Sequence, residues 1–377
     1  MGQRQNNRSR RAFLKVAGVS VGYGTLGTTV AQSNDTTVTI PITENQYGEH
    51  EYTEEVPREW LEQVESAKKV ASEIEVGENG VIGAEVVNSD RQIGGKRAVQ
   101  VRQAVDPEIY TGSFTIQEEA DVDIETVPAE EPELLGCYNS GRYSTIQGGM
   151  LESDTKVNGG RISRSIGSTG ARVHSSSGTY MLSVAHVWSA CAGGALGSKA
   201  YQPLPSVEET DNLSRFEFGE LAVVDVQFDF TLISPTTSRN IGGNIRGAGP
   251  VAGWITEAGL GSLMTDNETV QKEGATTGRT SGKIVSAYTK SDGKGCITFG
   301  NAKGVTTSVR GAQGDSGSVV FWKGDNGKLY VVHLVSLGDR ERQPISNCFG
   351  GNAKSNHFNR SAGTSGYQIH RMGYDFG

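Results

Sequence analysis

One serine in this sequence lies in a setting that suits nucleophilic chemistry. Ser316 belongs to a Gly-Asp-Ser-Gly motif, residues 314–317, directly before the apolar, strand-like run Val319–Phe321. Glycines allow the backbone to turn sharply and to approach a substrate closely. The backbone N–H groups of Gly314 and Ser316 could then converge on an oxyanion that develops on the substrate. The alternative is a polar turn ahead of a strand, because glycine and serine are frequent in this chain.

A base and an orienting carboxylate are both available upstream of this serine. His186 follows the apolar, strand-like run Tyr180–Ala185, and a second such run, Val223–Ile233, carries Asp225 and Asp229. In such chemistry the histidine takes the hydroxyl proton and the aspartate holds the imidazole in position. Both aspartates share one face of a strand, because side-chain direction repeats every two residues. On this pattern alone, either aspartate is a candidate for the orienting role.

The three side chains are far apart in the sequence, so only tertiary folding can bring them together. Strand-like runs also surround the serine, at Gly304–Val309 before it and at Lys328–Leu337 after it. The chain is rich in glycine, serine, threonine and valine, which favours a β-rich protein with many turns. We therefore expect strands to deliver the histidine, the aspartate and the serine to one cleft.

Four segments together resemble the chymotrypsin-like serine proteases. Ser183-Val184-Ala185-His186 is similar to the family's histidine motif, Asp229-Phe230-Thr231-Leu232-Ile233 to its aspartate motif, and Gly314-Asp315-Ser316-Gly317 to its nucleophile motif. The order His, Asp, Ser along the chain is also the order of that family. The segment Val270–Gly282 looks like a Thr-Thr-Gly segment of the bacterial streptogrisin branch. The resemblance covers roughly residue 136 to the C-terminus.

The resemblance implies a mainly β fold, a double antiparallel β-barrel with an N-terminal α+β extension, that hydrolyses peptide bonds through an acyl-enzyme. It implies that Asp229 rather than Asp225 orients His186, because Asp229 matches the motif better. It also implies no cofactor or metal, a polypeptide substrate and a monomer. The implied site residues are the catalytic His186, Asp229 and Ser316, the oxyanion-binding N–H groups of Gly314 and Ser316, and the substrate-binding Arg310, Gln313, Ser336, Leu337 and Gly338.

The sequence departs from the family pattern near the substrate pocket. Ser318 stands where many relatives have a second glycine, and Arg310 stands where streptogrisin relatives carry a pocket-wall cysteine. An Arg310 side chain directed into the pocket could pair with an acidic substrate side chain, whereas one directed outward would not. In an exported protein an even number of cysteines suggests disulfides, and three pairings are possible. The four cysteines are Cys137, Cys191, Cys296 and Cys348.

The N-terminus resembles an export signal. Ser-Arg-Arg-Ala-Phe-Leu-Lys at residues 9–15 precedes an apolar, glycine-rich run over residues 16–30, as in a twin-arginine signal. We expect residues 1–31 to be this signal, read by the twin-arginine export machinery, and the protein to be secreted. The net charge of −8 argues against nucleic acid as a partner.

The segment between the signal and the protease-like part is predicted to be a separate unit. We expect a pro-segment or accessory domain over residues 32–116, an acidic linker over 117–135, and the protease domain over 136–377, with its two barrels divided near residue 243. Apolar residues at helical spacing predict a helix over 56–74. Residues 32–135 could be removed after export or remain attached.

Two other functions stay open on the sequence. A protein of this shape could bind partners without catalysis, since the pocket sequence departs from the family pattern. The same three catalytic residues could also hydrolyse esters.

Overall fold

The computed structural model describes residues 36–76, 80–105, 110, 112, 116–119, 122–128, 141–158, 161–188, 196–205, 212–235, 239–291, 299, 303–338 and 357–377. The predicted twin-arginine signal and all four cysteines lie outside these residues, so the export signal and the disulfide pairing remain predictions. Within these ranges no helix is long and apolar enough to cross a membrane.

The chain forms strands throughout, with α-helices at three places in the described ranges. The N-terminal extension contains β1 (Thr37–Pro41), β2 (Thr43–Asn45), β3 (Thr53–Pro57), α1 (Arg58–Glu73), β4 (Val81–Ile93), β5 (Lys96–Val105), β6 (Ile116–Glu119) and β7 (Val122–Pro128). The next part contains β8 (Thr145–Gly148), β9 (Leu151–Asn158), β10 (Arg161–Ser168), β11 (Arg172–Ser175), β12 (Gly178–Ser183), β13 (Lys199–Tyr201), β14 (Glu217–Asp225) and β15 (Phe230–Pro235).

The C-terminal part begins with two strands that link it to the part before. It contains β16 (Asn240–Ile245), β17 (Gly249–Ile255), α2 (Glu257–Thr265), β18 (Thr269–Gly274), β19 (Gly278–Ser291), β20 (Gly304–Thr307), β21 (Gly311–Ala312), β22 (Val319–Lys323), β23 (Leu329–Leu334), β24 (Leu337–Gly338), β25 (His357–Phe358), β26 (Ser361–Thr364), α3 (Gly366–Arg371) and β27 (Asp375–Phe376).

The first barrel is closed by one continuous bent stretch of chain. Antiparallel pairs run in the order β9, β13, β14, β15 and β12. The chain from β10 to β11 then bonds to β9 on one side and to β12 on the other. In the residues that connect β10 to β11, the Thr169 N–H donates to the Met150 carbonyl at 2.8 Å, and the Gly170 N–H donates to the Leu182 carbonyl at 2.8 Å. These bonds complete the ring.

The second barrel is closed by a single bridge. Antiparallel pairs run β23, β22, β18, β19, β20 and β26. An antiparallel bridge between His333 on β23 and Ser365, which directly follows β26, joins the two ends. The predicted mainly β fold, a double antiparallel β-barrel with an N-terminal α+β extension, is therefore confirmed.

The extension is joined to the second barrel by backbone hydrogen bonds. Strand β4 pairs with β19, and β2 pairs with β17, so the sheet of the extension continues into the barrel. The helix predicted over 56–74 is found as α1, with a buried face that includes Trp60, Val64 and Ala67. The Trp60 indole N–H donates to the Arg97 carbonyl at 2.8 Å, which fixes α1 on the sheet.

The acidic segment differs from the linker expected over residues 117–135. Its described part forms β6 and β7, and β7 pairs with β5. Val122 and Ile124 are buried, whereas Asp123 and Glu125 alternate with them. Alternating side chains in a strand point to opposite faces. The acids therefore lie on the face where Arg102 Nε contacts a Glu125 carboxylate oxygen at 3.3 Å.

Candidate active site

His186 is held at the end of a buried strand. Strand β12 buries its last four residues, and the chain then forms a single turn of 3₁₀ helix over Ala185–Trp188. Ala185, Val187 and Trp188 of this turn are buried, whereas the His186 side chain is 31% exposed. The apolar residues thus fix the turn in the first barrel, and the imidazole faces outward from it.

Asp229 binds His186 at two points. It lies in the turn between β14 and β15, is fully buried, and has a left-handed backbone with φ 49°. Its Oδ1 accepts the His186 backbone N–H at 2.9 Å, and its Oδ2 lies 2.7 Å from Nδ1 of the imidazole. A carboxylate only accepts hydrogen bonds, so Nδ1 carries a proton. In the neutral ring, Nε2 is then left to accept a proton from a nucleophile.

The environment of His186 favours its protonated form. Burial opposes the charged imidazolium most strongly, but the charge of Asp229 and its hydrogen bond together outweigh burial. The pKa of the imidazole is therefore raised above its usual value. Such a balance suits a base that must hold a proton during a reaction.

The other candidate aspartate has a different role. Asp225 accepts the Phe228 backbone N–H through Oδ1 at 2.9 Å, which closes the turn between β14 and β15. The structure therefore places Asp229, and not Asp225, against the imidazole.

A buried ion pair shapes the loop that carries Ser316. Asp315 and Lys272 are both fully buried, and Lys272 Nζ lies 2.9 Å from Asp315 Oδ2. Oδ1 of Asp315 accepts the backbone N–H groups of Thr276 and Thr277 at 2.9 and 3.1 Å. Oδ2 accepts the Thr277 hydroxyl at 2.6 Å and the Ala312 N–H at 3.0 Å. This network satisfies both carboxylate oxygens and fixes the loop from inside.

Sequence reasoning missed Lys272 as the partner of Asp315. Lys272 lies in the Val270–Gly282 segment that resembles the streptogrisin branch, and its role was not apparent there. No local pattern marks this lysine, because its burial at the end of β18 becomes visible only in the structure.

Two backbone N–H groups of the Ser316 loop are left without an acceptor. The N–H groups of Asp315, Gly317 and Ser318 donate to carbonyls at 2.8–3.0 Å. Those of Gly314 and Ser316 donate to no group among the described residues. Gly314 has φ 97°, a conformation that favours glycine. The two free N–H groups are the pair expected to bind an oxyanion.

The Ser316 loop of the second barrel rests on the first barrel beside His186. The Ser168 N–H donates to the Ser316 carbonyl at 2.7 Å, and the Ser168 hydroxyl donates to the Gly314 carbonyl at 2.7 Å. A Cβ on the preceding Gly167 would lie 2.9 Å from both the Ser316 carbonyl and Val187 Cγ2. Since Val187 follows His186, this glycine brings the two loops together. The Ser316 side chain is half-buried and makes no hydrogen bond within the described chain.

The residues predicted to bind substrate fall into two groups. Ser336, Leu337 and Gly338 follow a strand held to the Ser316 loop, since the Val335 N–H donates to the Ser318 carbonyl at 2.8 Å. The Ser336 hydroxyl is buried and has no hydrogen-bond partner among the described residues. These three residues thus directly follow Val335, which is held to the Ser316 loop.

The other two predicted substrate-binding residues, Arg310 and Gln313, have exposed side chains. Their carbonyls accept the hydroxyls of Thr280 and Thr276, at 2.7 and 2.9 Å. Arg310 and Gln313 therefore contribute backbone to the loop, and their side chains extend into solvent.

A buried acid behind the cleft was not anticipated from the sequence. Glu152 on β9 is fully buried and accepts a hydrogen bond from the hydroxyl of Ser183, the last residue of β12. Burial raises the pKa of Glu152 to about 8, although the Ser183 hydrogen bond opposes this shift. Glu152 is therefore a neutral carboxylic acid near neutral pH. No local pattern marks it, because the contact joins two strands of the barrel.

The comparisons with known proteins found similarity in structure alone. No protein-family model and no curated protein matches this chain. Solved structures that are similar to this chain include three serine proteases. Protease A of Thermobifida fusca is 16% identical, with a TM-score of 0.36 over 61% of this chain and 97% of that chain. A chymotrypsin of Cellulomonas bogoriensis is 15% identical, with a TM-score of 0.36 over 62% and 98%. A serine protease specific for glutamic acid is 17% identical, with a TM-score of 0.35 over 62% and 100%.

Proposed function

We propose that this protein is a serine endopeptidase of the streptogrisin type. The observation that carries the proposal is the two-point contact of Asp229 with His186, beside a loop whose Gly314 and Ser316 N–H groups are free. An ordinary polar turn ahead of a strand would not require a buried ion pair to hold it. The arrangement supplies a nucleophile, a base, an orienting carboxylate and an oxyanion site.

In the proposed reaction the Ser316 hydroxyl attacks the carbonyl carbon of a peptide bond. His186 Nε2 takes the hydroxyl proton, and Asp229 stabilises the imidazolium that forms. The N–H groups of Gly314 and Ser316 bind the oxyanion of the tetrahedral intermediate. His186 then gives the proton to the leaving amine, and water hydrolyses the acyl-enzyme by the same steps. The strand at Ser336–Gly338 would align the peptide backbone of the substrate.

The experiment that tests this proposal is proteolysis by the purified full chain. Wild type should cleave an unfolded protein substrate, and Ser316→Ala should reduce turnover by roughly a millionfold. Ser177→Ala, in the exposed turn between β11 and β12, should leave turnover unchanged. Loss of activity in the Ser177 variant, or full activity in the Ser316 variant, would exclude the proposed nucleophile. Cleavage of esters but of no peptide would favour an esterase, and no cleavage of either would favour a binding protein.

We further propose secretion by the twin-arginine route and a pro-segment role for the extension. The strands that the extension adds to the second barrel support a role in folding of that barrel. N-terminal sequencing of the exported protein tests this role. A start after residue 128 supports it, and a start near Ala31 with no later species contradicts it.

A further inference from the structure

A phenylalanine from the C-terminal part of the chain reaches the Ser316 loop. Strand β25 (His357–Phe358) pairs antiparallel with β21 (Gly311–Ala312), and the pairing sets Phe358 opposite Gly311. The Phe358 side chain is 8% exposed. Strand β21 begins the loop that leads to Ser316, so this ring packs against the start of that loop.

The ring of Phe358 fills the space between two backbone segments of the site. A Cβ on Gly311 would overlap the end of the ring at Cε2 and Cζ. A Cβ on Gly338 would overlap the end at Cγ and Cδ1. Neither glycine has a left-handed backbone. Glycine is therefore required at both positions by the closeness of Phe358, not by a turn. One segment leads into the nucleophile loop, and the other follows Ser336.

Under the proposed function, the side chain of the substrate residue before the cleaved bond would enter between these two segments. The residue whose carbonyl carbon is attacked by Ser316 must have its side chain beside the nucleophile loop. Gly338 and Gly311 bound the space next to that loop, and Phe358 occupies it. A large substrate side chain would have to displace a ring that is buried and tied to β21 through its own strand.

We propose that Phe358 restricts the enzyme to peptide bonds preceded by a small residue, namely glycine, alanine or serine. This inference rests on the proposed endopeptidase function. The described residues around the ring, Gly311, Ala312 and Gly338, are uncharged, and the Arg310 side chain is exposed. The described residues that contact the ring therefore favour selection by size, because none of these three offers a charge to an acidic or basic substrate side chain.

The test is a series of peptide substrates that differ only in the residue before the cleaved bond. Wild type should cleave after alanine far better than after leucine or phenylalanine, measured as kcat/KM. Phe358→Ala should raise the ratio of kcat/KM for phenylalanine to that for alanine by at least about 100-fold. Phe358→Leu should give a smaller rise in the same direction. Phe376→Leu, at a buried phenylalanine that pairs with the first barrel, should leave the ratio unchanged.

The outcomes separate this inference from the function on which it rests. Covalent labelling by a fluorophosphonate reports the reactive serine. A labelled wild type that prefers large or charged residues overturns the role of Phe358 and leaves the endopeptidase standing. If the ratio of kcat/KM for phenylalanine to that for alanine is unchanged in Phe358→Ala, the role of Phe358 is likewise overturned and the endopeptidase function still stands. If Phe358→Ala does not fold, the wild-type series and Phe358→Leu decide. A wild type that neither reacts with the label nor cleaves any peptide overturns both.

Discussion

At the scale of single residues, the backbone of Asp229 is as important as its carboxylate. A left-handed φ is uncommon for residues other than glycine. Here it follows directly after the turn that Asp225 closes. This conformation lets one carboxylate reach both the backbone N–H and the Nδ1 of His186. The position of the imidazole is thus fixed before any substrate binds.

We predict that Asp229→Asn lowers kcat by about 10⁴-fold, because an amide no longer enforces the required imidazole tautomer. Asp225→Asn should change kcat little, since Asp225 bonds only to the Phe228 N–H in its own turn. Steady-state kinetics on one peptide substrate measure both effects. The opposite ranking of the two variants would assign the orienting role to Asp225.

The raised pKa of His186 predicts the acid limb of the pH profile. The base must be neutral to accept the Ser316 proton, so activity falls when the imidazole is protonated. Because the pKa is raised above the usual 6.5, kcat/KM should decline as pH falls through a value above 6.5. In Asp229→Asn the carboxylate charge is absent and burial remains, so the residual activity should decline at a lower pH. An acid limb that does not move between the two proteins would contradict this explanation.

Glu152 predicts a pH-dependent stability. Its pKa is raised from 4.5 to about 8 in the folded protein, so the folded state keeps a proton that the unfolded state loses. The free energy of unfolding therefore decreases as pH rises from about 4.5 to about 8. Glu152→Gln keeps a hydrogen-bond acceptor for Ser183 and has no proton to lose. The Tm of Glu152→Gln minus the Tm of wild type should therefore increase as pH rises across this interval. If this difference in Tm is constant with pH, Glu152 does not titrate there.

At the scale of elements, the Ser316 loop depends on the contact between Lys272 on β18 and Asp315. Removal of one partner from a buried ion pair leaves the other charge uncompensated, which costs about 3–5 kcal/mol. Lys272→Met should therefore lower the free energy of unfolding by about this amount, measured by urea denaturation. Activity should fall as well, because Asp315 sets the direction of the Gly314 and Ser316 N–H groups. Lys323→Met, at the exposed end of β22, is the control and should be close to neutral.

Local patterns predicted the elements that carry chemistry well. The buried strand before His186 and the glycines around Ser316 each mark a local backbone requirement. The single strand predicted over Val223–Ile233 is wrong, because the chain turns between β14 and β15 and Asp229 lies in that turn with a left-handed backbone. The contacts of Lys272 with Asp315 and of Phe358 with Gly311 carry no such mark, because each joins residues more than forty positions apart in the chain. They become visible only when the strands are paired.

The acidic segment shows how composition can conceal a strand. Eight acids between residues 117 and 133 suggest a solvated linker. Yet Val122 and Ile124 alternate with acids and are buried, while Arg102 contacts Glu125 on the opposite face. The charge of Glu125 is thus compensated by Arg102 on the neighbouring strand β5. The linear sequence does not reveal this pairing.

At the scale of the whole molecule, the site exists only where the two barrels meet. His186 and Asp229 belong to the first barrel, and Ser316 to the second. Ser168 joins them through its bonds to the Ser316 and Gly314 carbonyls. The extension lies on the second barrel through β2 and β4. The barrel that carries the proposed nucleophile is therefore the one with which the extension pairs.

The measurement that tests this account most directly is the site of covalent attachment of a fluorophosphonate, mapped by mass spectrometry on the full chain. We predict one adduct, on Ser316, that is lost in His186→Ala because the base in the other barrel is then missing. Ser177→Ala should react like wild type. An adduct on a different residue, or labelling of Ser316 that persists at the wild-type rate in His186→Ala, would contradict the claim that the two barrels together make this serine reactive.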